Sequence, residues 1–229
     1  CTWTAKDMNV YITKINAPGL TVNFSLTNHS SHNGPQTEYT ELVVVNSTVG
    51  GLEVHKGFNV TITNCIIDKS DHPNNQEQTF LYINQSNLLL QNVQFHNFQQ
   101  TGDSRPVVLN AESKCDISIH NSIFANNIGL YGLMYIGNYS HIEVVNSIFE
   151  GNKALEADLV GGGCFKLGSN VSLSMIKSHF ISNSAQNGAV LGVPYSANIF
   201  IDYCFFKNNS AGVTKLWDVS VNSDKRKQL

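Results

Sequence analysis

Carboxylates, histidines and cysteines come first, because catalysis or metal binding needs such groups gathered within a few ångströms of one another. "DKSDHPNN" brings Asp68 and Asp71 close in sequence, and with nearby carbonyls these two can be drawn as a calcium loop. The simpler reading is a solvated loop. In "TGDSRP", Asp103 and Arg105 suit a surface ion pair or a turn better than an active site, and "ALEADL" carries Glu156 and Asp158 with no partner motif. His29 and His32 form H-x-x-H without a helix pattern or cysteines beside them, which is a poor zinc signature. The chain has two arginines, Arg105 and Arg226, and lacks the N-T-D, D-D and G-H-G signatures of polygalacturonases. Paired acids or a basic residue with acidic calcium ligands, the usual equipment of glycosidases and lyases, are therefore not expected. No catalytic set, no metal site and no cofactor follows from these residues, with calcium at "DKSDHPNN" the weak exception.

Five cysteines leave at least one unpaired in a monomer. Cys65 and Cys204 fall in the same column of a repeat described below, which reads as small buried hydrophobes about 24 Å apart, too far to bond. Cys115 and Cys164 remain, and Cys1 is the cysteine best placed for a disulfide to a cap or a neighbouring segment.

Charge is sparse: 14% of residues are charged and the formal net charge is -3, so nothing advertises nucleic acid or anionic lipid as a partner. Asparagine is the outlier at 28 of 229 residues, and it suits turns because it tolerates the left-handed region. N-x-[ST] sequons occur at Asn23, Asn28, Asn46, Asn59, Asn84, Asn138, Asn170 and Asn208. Chance placement would give about four, so the excess points to a glycoprotein that is secreted or held at the cell surface. No apolar run reaches the roughly 18 residues of a membrane-spanning helix, and a start at Cys1 fits a processed protein or an excised domain.

The elements that position these residues emerge from an internal repeat. "ELVVVNSTV", "NVTITNCII", "NLLLQNVQF", "DISIHNSIF", "HIEVVNSIF", "SLSMIKSHF" and "IFIDYCFF" align on their last residues: Val49, Ile67, Phe95, Phe124, Phe149, Phe180 and Phe206. Seven residues earlier stand Leu42, Val60, Leu88, Ile117, Ile142, Leu173 and Ile199; five earlier stand Val44, Ile62, Leu90, Ile119, Val144, Met175 and Ile201. Two before the anchor the residue is compact: Ser47, Cys65, Val93, Ser122, Ser147, Ser178 or Cys204. These columns have opposite parities, so both point inward only if the strand bends between them. Asn46, Asn64, Asn92, Asn121 and Asn146 stand at that bend, whereas Lys177 and Tyr203 break the column and leave the late bends free of its geometry.

Anchor spacings of 18, 28, 29, 25, 31 and 26 residues suit short strands joined by loops of changing length. A second apolar run follows each anchor, for example "TFLYIN" and "GGCFKLG". Equivalent residues recurring at every turn are what a parallel coil requires, because each residue touches its own counterpart about 4.8 Å away. The expectation is an all-β, single-stranded right-handed parallel β-helix of about seven to eight coils, the handedness following the default for parallel crossovers. Residues 1–40 read as an N-terminal cap and degenerate first coil, 41–220 as the β-helix and 221–229 as a basic tail.

"FANN", "FEGN", "FISN" and "FKNN", anchored at Phe124, Phe149, Phe180 and Phe206, resemble the F-x-x-N repeat of the chlamydial polymorphic outer membrane proteins and of similar eukaryotic surface proteins. "NGAV" (Asn187 to Val190) and "GGGCF" (Gly161 to Phe165) are similar to the companion G-G-A-[ILV] motif. The resemblance implies a right-handed β-helix used in adhesion or as an extracellular scaffold. It covers the second half of the chain; the first three coils lack F-x-x-N, and pectin-degrading enzymes share the scaffold.

The expected function is a non-catalytic, glycosylated structural or adhesive module that presents loops such as Asp71 to Thr79 and Lys153 to Val160 to protein or glycan partners. Self-assembly into a homo-oligomer or filament by axial or lateral contacts is a further expectation, because the end coil of a β-helix exposes strand edges. A carbohydrate-binding or polysaccharide-degrading protein is the alternative, motivated by the scaffold and by outward aromatics such as Tyr131 and Phe200.

Overall fold

The computed structural model describes residues 10–13, 16–24, 40–46, 48–54, 58–68, 79–100, 105–155, 162–193, 196–212 and 217–219. Every strand pair within them is parallel, and four sheets run side by side along one solenoid. Sheet 1 has eight strands, from Val10–Thr13 to Ala197–Asp202; sheet 2 has six, from Ile66–Asp68 to Phe205–Lys207. Sheet 3 has five two-residue strands, from Gln99–Gln100 to Ser210–Ala211, and sheet 4 has eight, from Asn16–Phe24 to Trp217–Val219. All four sides carry a strand in about five turns, between Asn87–Gln91 and Trp217–Val219.

Register follows the sequence columns residue for residue. Leu42 pairs with Val60, Val60 with Leu88, Leu88 with Ile117, Ile117 with Ile142, Ile142 with Leu173 and Leu173 with Ile199. The phenylalanines stack in the same order: ring centroids of Phe95, Phe124, Phe149, Phe180 and Phe206 lie 5.2, 4.8, 5.0 and 5.0 Å apart, with planes within 13° of parallel. Those distances equal one coil rise, so a one-residue slip would cost each ring its partner and turn its side chain outward. Offset aromatic pairs add about 0.5–1.5 kcal/mol each beyond burial. Phe80, Phe98 and Phe165 pack edge-on or tilted against this column and fill the space toward sheet 4.

One anchor departs from the expected pattern. Val49 belongs to Thr48–Val54, a strand of sheet 4 in which it pairs with Ala17, and not to sheet 2. The 18-residue step from Val49 to Ile67 explains this, since at about 3.3 Å per residue it is too short to give every side its own strand.

The late bends share the geometry of the early ones. Asn46, Asn64, Asn92, Asn121 and Asn146 have φ between 49° and 54°, and Lys177 and Tyr203 share that left-handed conformation, both with φ 49°. Inter-coil hydrogen bonds continue through the bend and impose it: the amide of Asn92 donates to His120 O at 3.1 Å, that of Asn146 to Ile176 O at 3.0 Å, and that of Lys177 to Asp202 O at 2.9 Å. Coil register therefore outweighs local preference, at a cost of about 1–2 kcal/mol for a side chain that disfavours the left-handed region.

A second buried network stands at the corner after each phenylalanine. The last asparagine of F-x-x-N points inward: Asn127, Asn152 and Asn183 are at most 1% exposed. Asn127 Nδ2 donates to Asn152 Oδ1 (2.9 Å), Asn152 Nδ2 to Asn183 Oδ1 (3.0 Å) and Asn183 Nδ2 to Asn209 Oδ1 (3.0 Å). Each Nδ2 also reaches back to a phenylalanine carbonyl, as Asn152 does to Phe124 O at 2.9 Å. In the preceding coil Phe98 takes this position, and its amide donates to Asn127 Oδ1 at 3.1 Å. The ladder thus begins on an apolar rung, which is why F-x-x-N starts only at Phe124. Ser122, Ser147 and Ser178 form a parallel hydroxyl ladder, the amides of Ser122 and Ser147 each donating to the next Oγ at 3.1 Å.

Two substitutions separate these terms. Lys177→Asn should raise unfolding stability by about 0.5–1 kcal/mol in urea or thermal melts, because asparagine accepts the left-handed bend more readily. Asn152→Leu should lower it by roughly 3 kcal/mol, since Asn127 loses its acceptor and Phe124 O its donor inside the core.

Candidate functional site

The groups singled out for chemistry do not converge. Asp68 is exposed, and its Oδ1 accepts from Asn97 Nδ2 at 3.1 Å. Arg105 is also exposed. Asp71, Asp103, Glu156, Asp158, His29, His32, Cys1, Arg226 and Asn28 lie outside the described residues, as do the centres of both loops expected to meet partners. No three His, Cys, Asp or Glu side chains come together among the described residues. The lateral faces carry small polar groupings instead. Tyr82 Oη and Asn84 Nδ2 donate to Glu112 Oε2 at 2.6 and 2.7 Å, His120 stands 3.7 Å from Glu143, and Lys166 Nζ lies 5.0 Å from the centre of the Tyr131 ring.

Cys65, Cys115, Cys164 and Cys204 are free thiols, and Cys1, the cysteine expected to form a disulfide, lies outside the described residues. Their role is in the ladders: Cys65 and Cys204 take the corner position of Ser122 and Ser147, and Cys65 Sγ contacts Thr63 O at 3.3 Å. Cys115 is equivalent to Ser140, whose Oγ accepts the Cys115 amide at 3.1 Å. Burial pushes the thiol of Cys164 well above its ordinary range and raises those of Cys115 and Cys204.

Sequon asparagines divide into two environments. Asn46, Asn138, Asn170 and Asn208 are exposed at corners between sheets, while Asn59 and Asn84 are half-buried on lateral faces. Asn59 Oδ1 accepts from Asn87 Nδ2 at 2.9 Å. Asn23 lies within Asn16–Phe24.

The largest departure from the interior pattern is at the last turn. Ala197–Asp202, Phe205–Lys207, Ser210–Ala211 and Trp217–Val219 are the terminal strands of their respective sheets. Ile199 and Ile201 continue columns that are fully buried one turn earlier at Leu173 and Met175, yet they are 37% and 38% exposed. Phe206 and Cys204, expected in the core, are only partly buried for the same reason: no described strand stacks beyond them. Outward positions of this turn are unusually aromatic, with Phe200 57%, Tyr203 83% and Phe205 48% exposed. Phe200 follows Ser174 and Glu143 in its column, so the change is confined to this turn. These side chains leave apolar surface on the last described turn.

The stacked columns and two corner ladders define the chain as an all-β parallel β-solenoid. Comparison with family profiles, curated proteins and solved structures gave no match.

The sequence columns contained only the corner ladder in unfinished form. Asn152 was legible as a corner residue but not as one step of a buried ladder, although the recurring last position of F-x-x-N is its signal. The exposed rung had no sequence signal, because Ile199 and Ile201 look like every other inward pair. Met175→Ala should therefore cost about 2–4 kcal/mol of unfolding free energy and Ile201→Ala about 1 kcal/mol or less, although the two residues are neighbours in one column. Parallel urea titrations of dilute protein read the difference.

Proposed function

We propose that this chain is a non-catalytic, glycosylated scaffold or adhesive module that works outside the cell, secreted or held at the cell surface. The observation that carries the reading is the exposure of Asn46, Asn138, Asn170 and Asn208 at corners between sheets, where an attached glycan projects without disturbing a stacked column. The use of the inward positions supports it too: they are taken up by aliphatic columns, the phenylalanine stack and the two polar ladders. The F-x-x-N resemblance points the same way. Under this reading the solenoid is right-handed, in keeping with the default for parallel crossovers, and Val10–Thr13 through Ile66–Asp68 add two to three further coils at the N-terminal side, for a total of seven to eight. Partners are proteins or glycans met at the terminal rung and the loops, including other copies of the chain.

A carbohydrate-binding role is the second reading, favoured by Tyr131 under Lys166 and by the Tyr82–Glu112 pair, since aromatic faces next to polar groups suit sugar rings. Secretion from a eukaryotic host followed by peptide mapping tests the first reading. Glycans are expected at Asn46, Asn138, Asn170 and Asn208, with lower occupancy at Asn59 and Asn84. A secreted product bare at all of them, or turnover of any polysaccharide at enzyme-like rates, overturns it. Binding on a glycan array that is lost in Tyr131→Ala would favour the second.

A further inference from the structure

Each bend into sheet 2 holds a residue at the surface two places before an outward position of the next strand. Asn64, Asn92, Asn121 and Asn146 are exposed there, and Ile66, Gln94, Ile123 and Ile148, two residues on, continue through His179 and Phe205 as one outward column. Serine or threonine in that column would complete a sequon, as Thr48 does for Asn46. Threonine suits an outward strand position about as well as isoleucine, so local structure does not demand the apolar choice. Asn97 and Asn126, on the far corner, begin no sequon either. The four inner rungs of sheet 2, from Gln94–His96 to His179–Ile181, are therefore bare of sequons on both borders. Asn138 and Asn170, by contrast, lie at the corner between sheets 4 and 1. Ile123 and Ile148 are half-buried, and Ile66 and Phe205 at the ends of the column are 58% and 48% exposed.

We infer that two copies of this chain pack side by side, sheet 2 against sheet 2, about a two-fold axis that runs along the strands. The inference rests on the glycoprotein reading and names a partner for the side which that reading leaves bare. A two-fold in this direction keeps the strands aligned, as packed sheets prefer, sets each outward column over its own counterpart and reverses the order of the rungs. The axis then falls between Ile123 and Ile148, on the third and fourth of six rungs. Ile123 meets Ile148 of the other copy, Ile66 meets Phe205 and Gln94 meets His179. In the neighbouring column, Asp68 at one end meets Lys207 at the other, and both are exposed. Apolar, polar and opposite-charge groups are thus each matched. A two-fold along the solenoid would exchange the columns instead and lay Asp68 on Ile66 and Glu150 on Ile148. Six rungs with their corners offer about 29 by 16 Å, on the order of 450 Å² per copy and below the roughly 800 Å² of a standard partner surface. Weak association, on the order of tens to hundreds of micromolar, is the corresponding expectation.

The test is sedimentation equilibrium of the full chain, made without glycans, up to about tenfold above that range. A monomer–dimer equilibrium is expected, weakened at least tenfold by Asp68→Lys and restored when Lys207→Asp is added to it. Both positions are exposed, so the circular dichroism spectra and melts of the variants should match the parent. A second arm uses secreted protein. Ile148→Thr completes a sequon at the exposed Asn146, and a glycan there should abolish the dimer. Leu89→Thr, which completes a sequon at Asn87 on sheet 1, should leave it intact. A particle monomeric at every concentration overturns the inference, as does mass that grows without limit. So does a dimer that Asp68→Lys leaves unchanged, that the double variant fails to restore, or that persists with a glycan at Asn146. The first arm needs no glycan, so sequons found bare in the secreted parent would sink the glycoprotein reading without touching the dimer, and a monomer would do the reverse.

Discussion

Each coil of this protein rests on a copy of itself, and the separation is fixed by backbone hydrogen bonds between parallel strands. A side chain that points inward therefore has, above and below, whatever the same position holds in the neighbouring turns. Phenylalanine above phenylalanine at 4.8–5.2 Å satisfies that constraint with nearly parallel rings, and so does asparagine above asparagine, whose amide is both donor and acceptor. Serine does the same with a single hydroxyl. A lone buried charge has no such solution, because its neighbour would carry the same sign. The interior of the described solenoid is built from apolar and neutral polar columns accordingly.

The same constraint sets which local rules are obeyed and which yield. Asparagine is common at the bends because it tolerates the left-handed region, yet Lys177 and Tyr203 are held there without that advantage. A bend in any other conformation would break the inter-coil bond at that residue and shift the strands on either side of it. The loss would exceed the roughly 1–2 kcal/mol of an unfavourable residue. Glycine is used where a neighbouring coil comes too close for any side chain. A Cβ on Gly132, whose φ is 88°, would collide with Gly162 O, and one on Gly163 with Ala189 O. Part of the G-G-A-like motif thus reflects the close passage of one turn over the next.

Stacking also makes the last described turn different from the rest without changing its inward composition. An interior rung is covered on two sides, a terminal rung on one, and the same isoleucines pass from core to surface. Phe200, Tyr203 and Phe205 add exposed aromatic side chains to that turn.

Much of this was legible beforehand. The column residues, their register and the strand, bend, strand order follow from recurrence alone, since like-on-like stacking leaves a periodic trace that no other local rule produces. The trace fails where the constraint is three-dimensional. Val49 looks like an anchor but belongs to a different sheet, because an 18-residue turn cannot occupy every side. Cys204 and Phe206 look buried but lie in the last described turn, where they are only partly buried. Lys177 looks like an exception but is forced into line by its neighbours' hydrogen bonds. The sequence by itself determined which residues face inward and what each one rests on, because that information is repeated in every coil. Only the tertiary structure decided how many sides each turn has and which asparagines are ladder and which are surface, because those depend on what lies above and below a residue rather than on the residue.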